Sequence, residues 1–312
     1  MNETKAILLC GSRIAIPVLR DLYFNQQLAA IVIPGHCSDF LQQVRLFLKD
    51  SVIPVIAVNK LDFADKLQKA IKEYAPAIGL MITFSYKLPG AVYKMPLKGF
   101  YNLHPGPLPA YRGPDPIFQQ IKNRELYACV TVHKVDDDFD AGPIVLSDRI
   151  HLGLTDTYGI LTTKLAELSS RLVGTLMKMA GFDMEIPSRG QDSSKARYYP
   201  RQLAADITID WETMDASSII ALVNACNPWN KGAAAKLNNN IIRLLDAYPI
   251  TSDILTDNLP GTIFSVDEKG LGISVAGNEA ICVRIIYNEE GFLMANRLKD
   301  FAIMPGTRFD II

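Results

Sequence analysis

Long hydrophobic runs are missing from this 312-residue chain: 49% of it is hydrophobic, yet no apolar stretch approaches membrane-spanning length. The opening MNETKAILLCGSR lacks the basic start and extended apolar core of a signal peptide, so a soluble, cytoplasmic protein is expected. There is no excess of charge either. The 32 Lys and Arg against 33 Asp and Glu leave a net charge of -1, which argues against a surface devoted wholly to nucleic acid while allowing a local basic patch. Cysteine is sparse and unpaired in pattern: Cys10, Cys37, Cys129, Cys226 and Cys282 form no CxxC and no metal-ligand spacing, and read as free thiols of a reducing compartment. Internal repeats and low-complexity tracts are absent. So is a GxGxxG turn, and no nicotinamide cofactor is inferred.

What is present is alternation. Lys5 to Cys10 (KAILLC) reads as a strand closed by Gly11-Ser12, followed by a helix whose Ile14, Val18, Leu19 and Leu22 share a face. Leu28 to Ile33 and Ile53 to Val58 read as further strands with a helix over Phe40 to Leu48 between them. Leu61 to Tyr74 reads as an amphipathic helix with Leu61, Ala64, Leu67 and Ile71 inward, stopped by Pro76. Ile78 to Phe84 reads as a strand buried on both faces. Short buried strands alternating with helices predict a parallel sheet covered on both sides. A strand near Gly99 to Leu103, a helix from Ile117 to Asn123, strands over Cys129 to Val135 and Ile144 to Ile150, and a long helix from Thr157 to Ala180 complete this part. Residues 183–204 are polar, with Pro, Gly and Ser, and predict a linker between a catalytic domain over 1–182 and a second domain over 205–312. In the latter, a helix over Ala216 to Cys226 precedes four β-like runs (Ala233 to Leu237, Ile241 to Leu245, Gly261 to Val266, Ala280 to Ile286) with turn signals around them. A small antiparallel barrel is the expectation.

The residues that could carry chemistry lie where strands end. Asn102 and His104 alternate at the close of a strand, so both face one side, and ligands of open α/β sheets bind beyond such ends. The prolines at 105, 107 and 109 stiffen the following loop. By itself His104 serves a functional or a structural role equally well. His36 and His151 read as surface positions, and His133, within CVTVHKV, as a structural histidine. In DDDFDAGPI the Asp-Ala-Gly turn places Asp140 at the sheet edge, while Asp136, Asp137 and Asp138 read as a solvated acidic loop; the run does not fit a calcium loop. Arg112 could bind an anion or brace its own loop.

Taken in order, NLHPGPLPAYRGPDPIFQQI and VTVHKVDDDFDAGPIV resemble the signature of the 10-formyltetrahydrofolate formyltransferases. The family includes methionyl-tRNA formyltransferases, amino-sugar and glycinamide ribonucleotide formyltransferases, and formyl-folate hydrolases. The resemblance implies a Rossmann-like catalytic domain with a smaller OB-like β-barrel domain, and a catalytic triad of Asn102, His104 and Asp140. TFSYKLPGAVYKMPLKG is similar to the folate-binding loop, which implies that Leu88, Pro89, Gly90 and Val92, with Asp138 and Gly142, enclose 10-formyltetrahydrofolate as co-substrate. Asp210-Trp211, Asn227-Pro228-Trp229 and the closing PGTRF extend the likeness through the C-terminal domain.

In the resemblance, an amine attacks the formyl carbon, His104 takes its proton, Asp140 steadies the imidazolium, and Asn102 with His104 donates to the oxyanion; no metal is required. The implied acceptor is a small-molecule amine such as a nucleotide-linked amino sugar, with initiator Met-tRNA as the alternative. Methionyl-tRNA formyltransferases carry a long basic loop after the second strand, whereas IVIPGHCSDFLQQVRLFLKD is shorter and holds only Arg45 and Lys49. A hydrolase, or a folate-binding protein without turnover, would share the same site.

Overall fold

The structure is a computed structural model that describes residues 4–182, 184–250 and 258–310. Asp183, where the expected linker begins, and the last two positions of the expected barrel domain lie outside them. The described chain forms two compact units. The first comprises residues up to Pro116, Tyr127–His151 and Thr162–Tyr199; the second comprises Ile117–Leu126, Leu152–Leu161 and the chain from Pro200.

The first unit is built on a seven-stranded sheet in the order β3-β2-β1-β4-β5-β6-β7. Strands β1 (Ala6–Cys10), β2 (Leu28–Pro34), β3 (Val55–Val58), β4 (Ile78–Ile82) and β5 (Phe100–His104) run parallel, as their apolar runs predict. Strands β6 (Tyr127–Lys134) and β7 (Ile144–His151) depart from the expectation: both pair antiparallel, so the sheet is mixed. Between β6 and β7 the reason is connection length. Only Asp-Ala-Gly and its neighbours join β6 to β7, too few residues for the crossover that a parallel pair needs.

Helices α1 (Ile16–Phe24), α2 (Ser38–Phe47), α3 (Phe63–Tyr74), the short α4 (Gly90–Tyr93), α5 (Pro116–Lys122) and α6 (Tyr158–Ala180) follow the predicted order. Leu61 was expected on the inner face of α3. It precedes the helix and is 95% exposed, while Leu67, Ala70 and Ile71 are buried against Ile7, Leu9 and Val32. The α6 stripe Leu161, Leu165, Leu168, Leu172 and Leu176 is buried, as ordinary packing requires.

In the second unit, α7 (Ala216–Ala225) is capped by Asp215, whose carboxylate accepts the Ser218 N–H at 2.7 Å. It accompanies a six-stranded antiparallel sheet. Its central path is β10 (Ile263–Asp267), β11 (Gly270–Val275), β12 (Glu279–Asn288), β9 (Asn240–Pro249) and β8 (Ala233–Leu237), and β13 (Gly291–Met294) pairs with β12. The four expected β runs are all strands. Gly270–Val275 and Gly291–Met294 are two more, each joined to its neighbour by one of the turn signals, DEKG or NEEG. The expected barrel is open: among the described residues no ladder joins β10 back to β8.

Two motifs of this unit are packing devices. Trp211 is buried and stacks on Phe309 of the closing PGTRF at 4.8 Å, and the Trp229 indole donates to the Ala225 carbonyl. All five cysteines are free, as expected, and among the described residues no helix is long and apolar enough to cross a membrane.

Candidate active site

The reversal of strand direction between β5 and β6 makes the site. In this antiparallel pair Asn102 stands opposite His133 and His104 opposite Thr131. Directly opposed residues project to the same face, so four polar side chains gather on it. Thr131 is 1% exposed, His133 3% and His104 4%. Such burial is tolerable only where backbone partners are supplied, and the proline-rich loop after β5 supplies them. The Thr131 hydroxyl donates to the Gly106 carbonyl at 2.7 Å and accepts the Leu108 N–H; His104 Nε2 lies 2.6 Å from the Tyr111 carbonyl.

Asp140 closes the group from the turn before β7, with a left-handed backbone (φ 54°) that is uncommon for a residue with a side chain. Its Oδ2 accepts the Gly113 N–H at 3.0 Å. Its Oδ1 lies 3.3 Å from Asn102 Nδ2, 3.5 Å from His104 Nδ1 and 3.6 Å from His133 Nε2. Burial opposes the Asp140 charge, but His133, His104 and the Gly113 N–H outweigh it and hold the carboxyl at about 2. For His104, burial is the largest influence and pulls the imidazole below its ordinary value, against the opposing pull of Asp140 and the Tyr111 carbonyl. The ring is therefore neutral near pH 7.

The structure thus brings Asn102, His104 and Asp140 together. It adds His133, which the residue pattern alone assigns to packing. The signal was available only through pairing: once β5 and β6 are antiparallel, His133 must face Asn102.

Arg112, left open between anion binding and bracing, braces. Its guanidinium donates to Gln191 Oε1, and Gln191 Nε2 donates to the carbonyls of Asp140 and Gly142, each at 2.8 Å. Gly113 is held next to Tyr199, where a Cβ would lie 2.1 Å from the carbonyl oxygen. Two residues of the expected linker, Gln191 and Tyr199, therefore shape the loops that carry Asp140.

A small cavity of about 30 Å³ is lined by Asn102, His133 and Asp140 together with Met81, Leu88, Val135 and Phe139, and with Lys87, Asp136 and Asp138. Of the residues expected around the folate, Leu88 and Asp138 line it. Pro89 precedes α4 and Gly90 begins it beside Asp137, which accepts the Tyr93 hydroxyl rather than lying free in a solvated loop. Val92 is fully buried in the core. Gly142 is where the turn crosses β6, since a Cβ there would fall 1.8 Å from the Lys134 oxygen. His36 and His151 are exposed.

A carboxamide, an imidazole and an ionised carboxylate meet at the carboxyl end of a Rossmann-type strand, a combination that can accept a proton and donate hydrogen bonds and so suits the class of group-transfer enzymes. The comparisons give that class its family. Residues 39–175 match the formyl transferase model and residues 204–298 the formyl transferase C-terminal domain. The chain is 30% identical over 235 residues to a methionyl-tRNA formyltransferase of Thermotoga maritima, covering 75% of this chain and 72% of that one. It is 29% identical over 231 residues to the methionyl-tRNA formyltransferase of Kosmotoga olearia, covering 74% and 73%.

Among solved structures it shares its fold with HypX from Aquifex aeolicus (TM-score 0.68, 18% identity, 95% of this chain), although it spans only 49% of that chain. It shares it also with an N-formyltransferase from Helicobacter canadensis, solved with folinic acid and dTDP-3-aminofucose (TM-score 0.65, 18% identity, 89% of this chain and 98% of that one). The chain belongs to the formyl transferase family and is a formyltransferase.

Proposed function

We propose that the protein transfers the formyl group of 10-formyltetrahydrofolate to a small amine, such as a nucleotide-linked amino sugar, in the cytoplasm. The observation that carries the choice of acceptor is the connection between β2 and α2: three residues, Gly35 to Cys37, stand where methionyl-tRNA formyltransferases carry a long basic loop. Charge points the same way. Across residues 204–298 there are six Lys and Arg against twelve Asp and Glu, a surface ill suited to phosphate backbones. The alternative acceptor, initiator Met-tRNA, is favoured by the sequence relatives, which carry that activity in their names.

The residues around the small cavity fit the co-substrate. Met81, Leu88, Val135 and Phe139 offer apolar walls to a flat ring, and Asp136 and Asp138 offer acceptors to its N–H groups. Its volume admits a formyl-sized group beside Asn102. The pair at its rim, Lys87 over the Phe139 ring at 5.5 Å, must part for anything larger. When bound, the folate supplies an acyl group already activated for transfer to an amine. Neutral His104 and Asp140 take up the proton that the attacking amine sheds, and Asn102 donates to the oxygen that gains charge.

The test is release of tetrahydrofolate from 10-formyltetrahydrofolate in three incubations: with no acceptor, with charged initiator Met-tRNA, and with a panel of nucleotide-linked amino sugars. Release that requires an amino sugar is expected. Release driven by Met-tRNA would reverse the choice of acceptor, and release without any acceptor would make the protein a hydrolase.

A further inference from the structure

Two imidazoles face the Asp140 carboxylate, and both are tethered in the same manner. His104 Nε2 lies 2.6 Å from the Tyr111 carbonyl, and His133 Nδ1 lies 2.9 Å from the Lys134 carbonyl. A carbonyl oxygen only accepts, so each of these nitrogens carries the hydrogen of its neutral ring. The opposite nitrogens, His104 Nδ1 and His133 Nε2, are then bare lone pairs, 3.5 and 3.6 Å from the same oxygen, Asp140 Oδ1. One added proton satisfies this arrangement, as a charge-assisted N–H donated to Oδ1 from either ring.

Asn102 responds to which ring holds that proton. Its Nδ2 stands 3.1 Å from His133 Nε2 and 3.3 Å from Asp140 Oδ1. The reverse orientation would set the amide oxygen against a carboxylate, so the nitrogen faces inward. With His133 neutral, both amide hydrogens are committed, one to the ring and one to the carboxylate. With His133 protonated, Nε2 becomes a donor and can no longer accept from the amide. The ring then pairs with Oδ1, and one amide hydrogen is free.

We infer that His133 is a positioning residue for Asn102: neutral, it holds the carboxamide in place; protonated, it pairs with Asp140 and releases an Asn102 N–H to the oxygen of the reacting formyl group. The catalytic half of this inference rests on the formyl-transfer reading above. The proton balance closes. As the new C–N bond forms, the amine's proton enters the imidazole–carboxylate group; as the old C–N bond breaks, it leaves on the departing nitrogen. The groups that bear on His133 are Asp140 from the turn, His104 from β5, and Lys87, Asp136 and Asp138 around the cavity that His133 also lines.

Two measurements test it on the full chain. Imidazole nitrogen NMR, with His133 assigned by loss of its signals in His133→Gln, should show the Nδ1–H tautomer near neutral pH. On acidification Nε2 should gain a proton, and the Asn102 side-chain amide signal should shift with the same midpoint. A neutral Nε2–H tautomer, or an Asn102 amide indifferent to that titration, overturns the inference whether or not the protein transfers formyl groups.

In kinetics, the side-chain carbonyl introduced by His133→Gln can accept from Asn102 but cannot take up a proton. The variant's kcat should fall about 100-fold, the scale of losing one oxyanion donor. KM for 10-formyltetrahydrofolate should stay within about twofold. The acid limb of its kcat profile should lose one ionisation, while circular dichroism stays that of the parent. A His133→Gln enzyme with parental kcat and an unchanged pH profile overturns the inference. Failure of the parent enzyme to transfer formyl to any acceptor would instead remove the function proposed above and leave the NMR test standing.

Discussion

Strands β1 and β6 belong to the same sheet and bury different chemistry. All five residues of β1 are apolar and buried. β6 buries Ala128, Val130 and Val132 on one face and Thr131 and His133 on the other. A strand flanked by parallel neighbours sits beneath helices that offer only side chains, so a polar group there would lose water and gain nothing. Loops cover the site face of the β5–β6 pair, and their carbonyls at Gly106 and Tyr111 accept from Thr131 and His104. Buried polarity is confined to the part of the sheet where backbone acceptors reach the side chains.

The difference can be broken from either end. His104→Ala should lower kcat about 10²- to 10⁴-fold, the usual worth of a positioned acid or base, and leave the thermal melting point near that of the parent. Leu9→Ala, in the all-apolar strand, should do the converse, costing about 2–5 kcal/mol of stability while kcat per folded molecule is preserved. Denaturant titration paired with single-turnover kinetics on both variants separates the two. A stable but inactive Leu9→Ala protein would erase the distinction between the halves of the sheet.

The same contrast explains what was legible in the sequence. β1, β2 and β4 are runs of buried apolar residues whose period cannot be misread, and the α6 leucines repeat at helical spacing. Asn102, His104 and Asp140 stood out because a stiff proline loop and an Asp-Ala-Gly turn flank them. His133 did not, because its role depends on the direction in which β6 pairs, and CVTVHKV reads alike in either direction. Nor did Gln191: nothing periodic surrounds it, and its partners are backbone carbonyls and an arginine far away in the chain. The openness of the C-terminal sheet was equally hidden, since strand count and turn signals are the same for an open sheet and a closed barrel.

Acid sharpens the comparison further. The Asp140 carboxyl is held at about 2, against an ordinary value of 3.8. As pH falls, the unfolded chain therefore takes up the proton first, so this group's stabilisation is complete above about pH 4 and is lost as pH drops through 2. The shift corresponds to about 2 kcal/mol. Stability measured by urea titration at a series of pH values should fall over that window in the parent and be flatter in Asp140→Asn, whose amide does not titrate. Parallel curves for the two proteins would mean that the imidazoles and the Gly113 N–H do not hold the charge.

The smallest expected effect tests how the polar face is braced from outside the sheet. Gln191 donates to the Asp140 and Gly142 carbonyls and accepts from Arg112, so one amide ties the turn that carries the carboxylate to the loop that follows β5. Gln191→Ala removes those bonds at a half-buried position and should cost about 1 kcal/mol, with a kcat reduction of only a few fold because Asp140 keeps its Gly113 donor. Gln191→Glu decides which side of the amide matters. A glutamate keeps, and strengthens, the contact with Arg112, but it sets a carboxylate oxygen against two carbonyl oxygens that now have no donor. If the turn depends on the donated hydrogens, Gln191→Glu should be at least as destabilised as Gln191→Ala by thermal melting. Should it match the parent instead, the Arg112 contact alone supports the loops, and the position of Asp140 would be owed to its own turn and the Gly113 N–H.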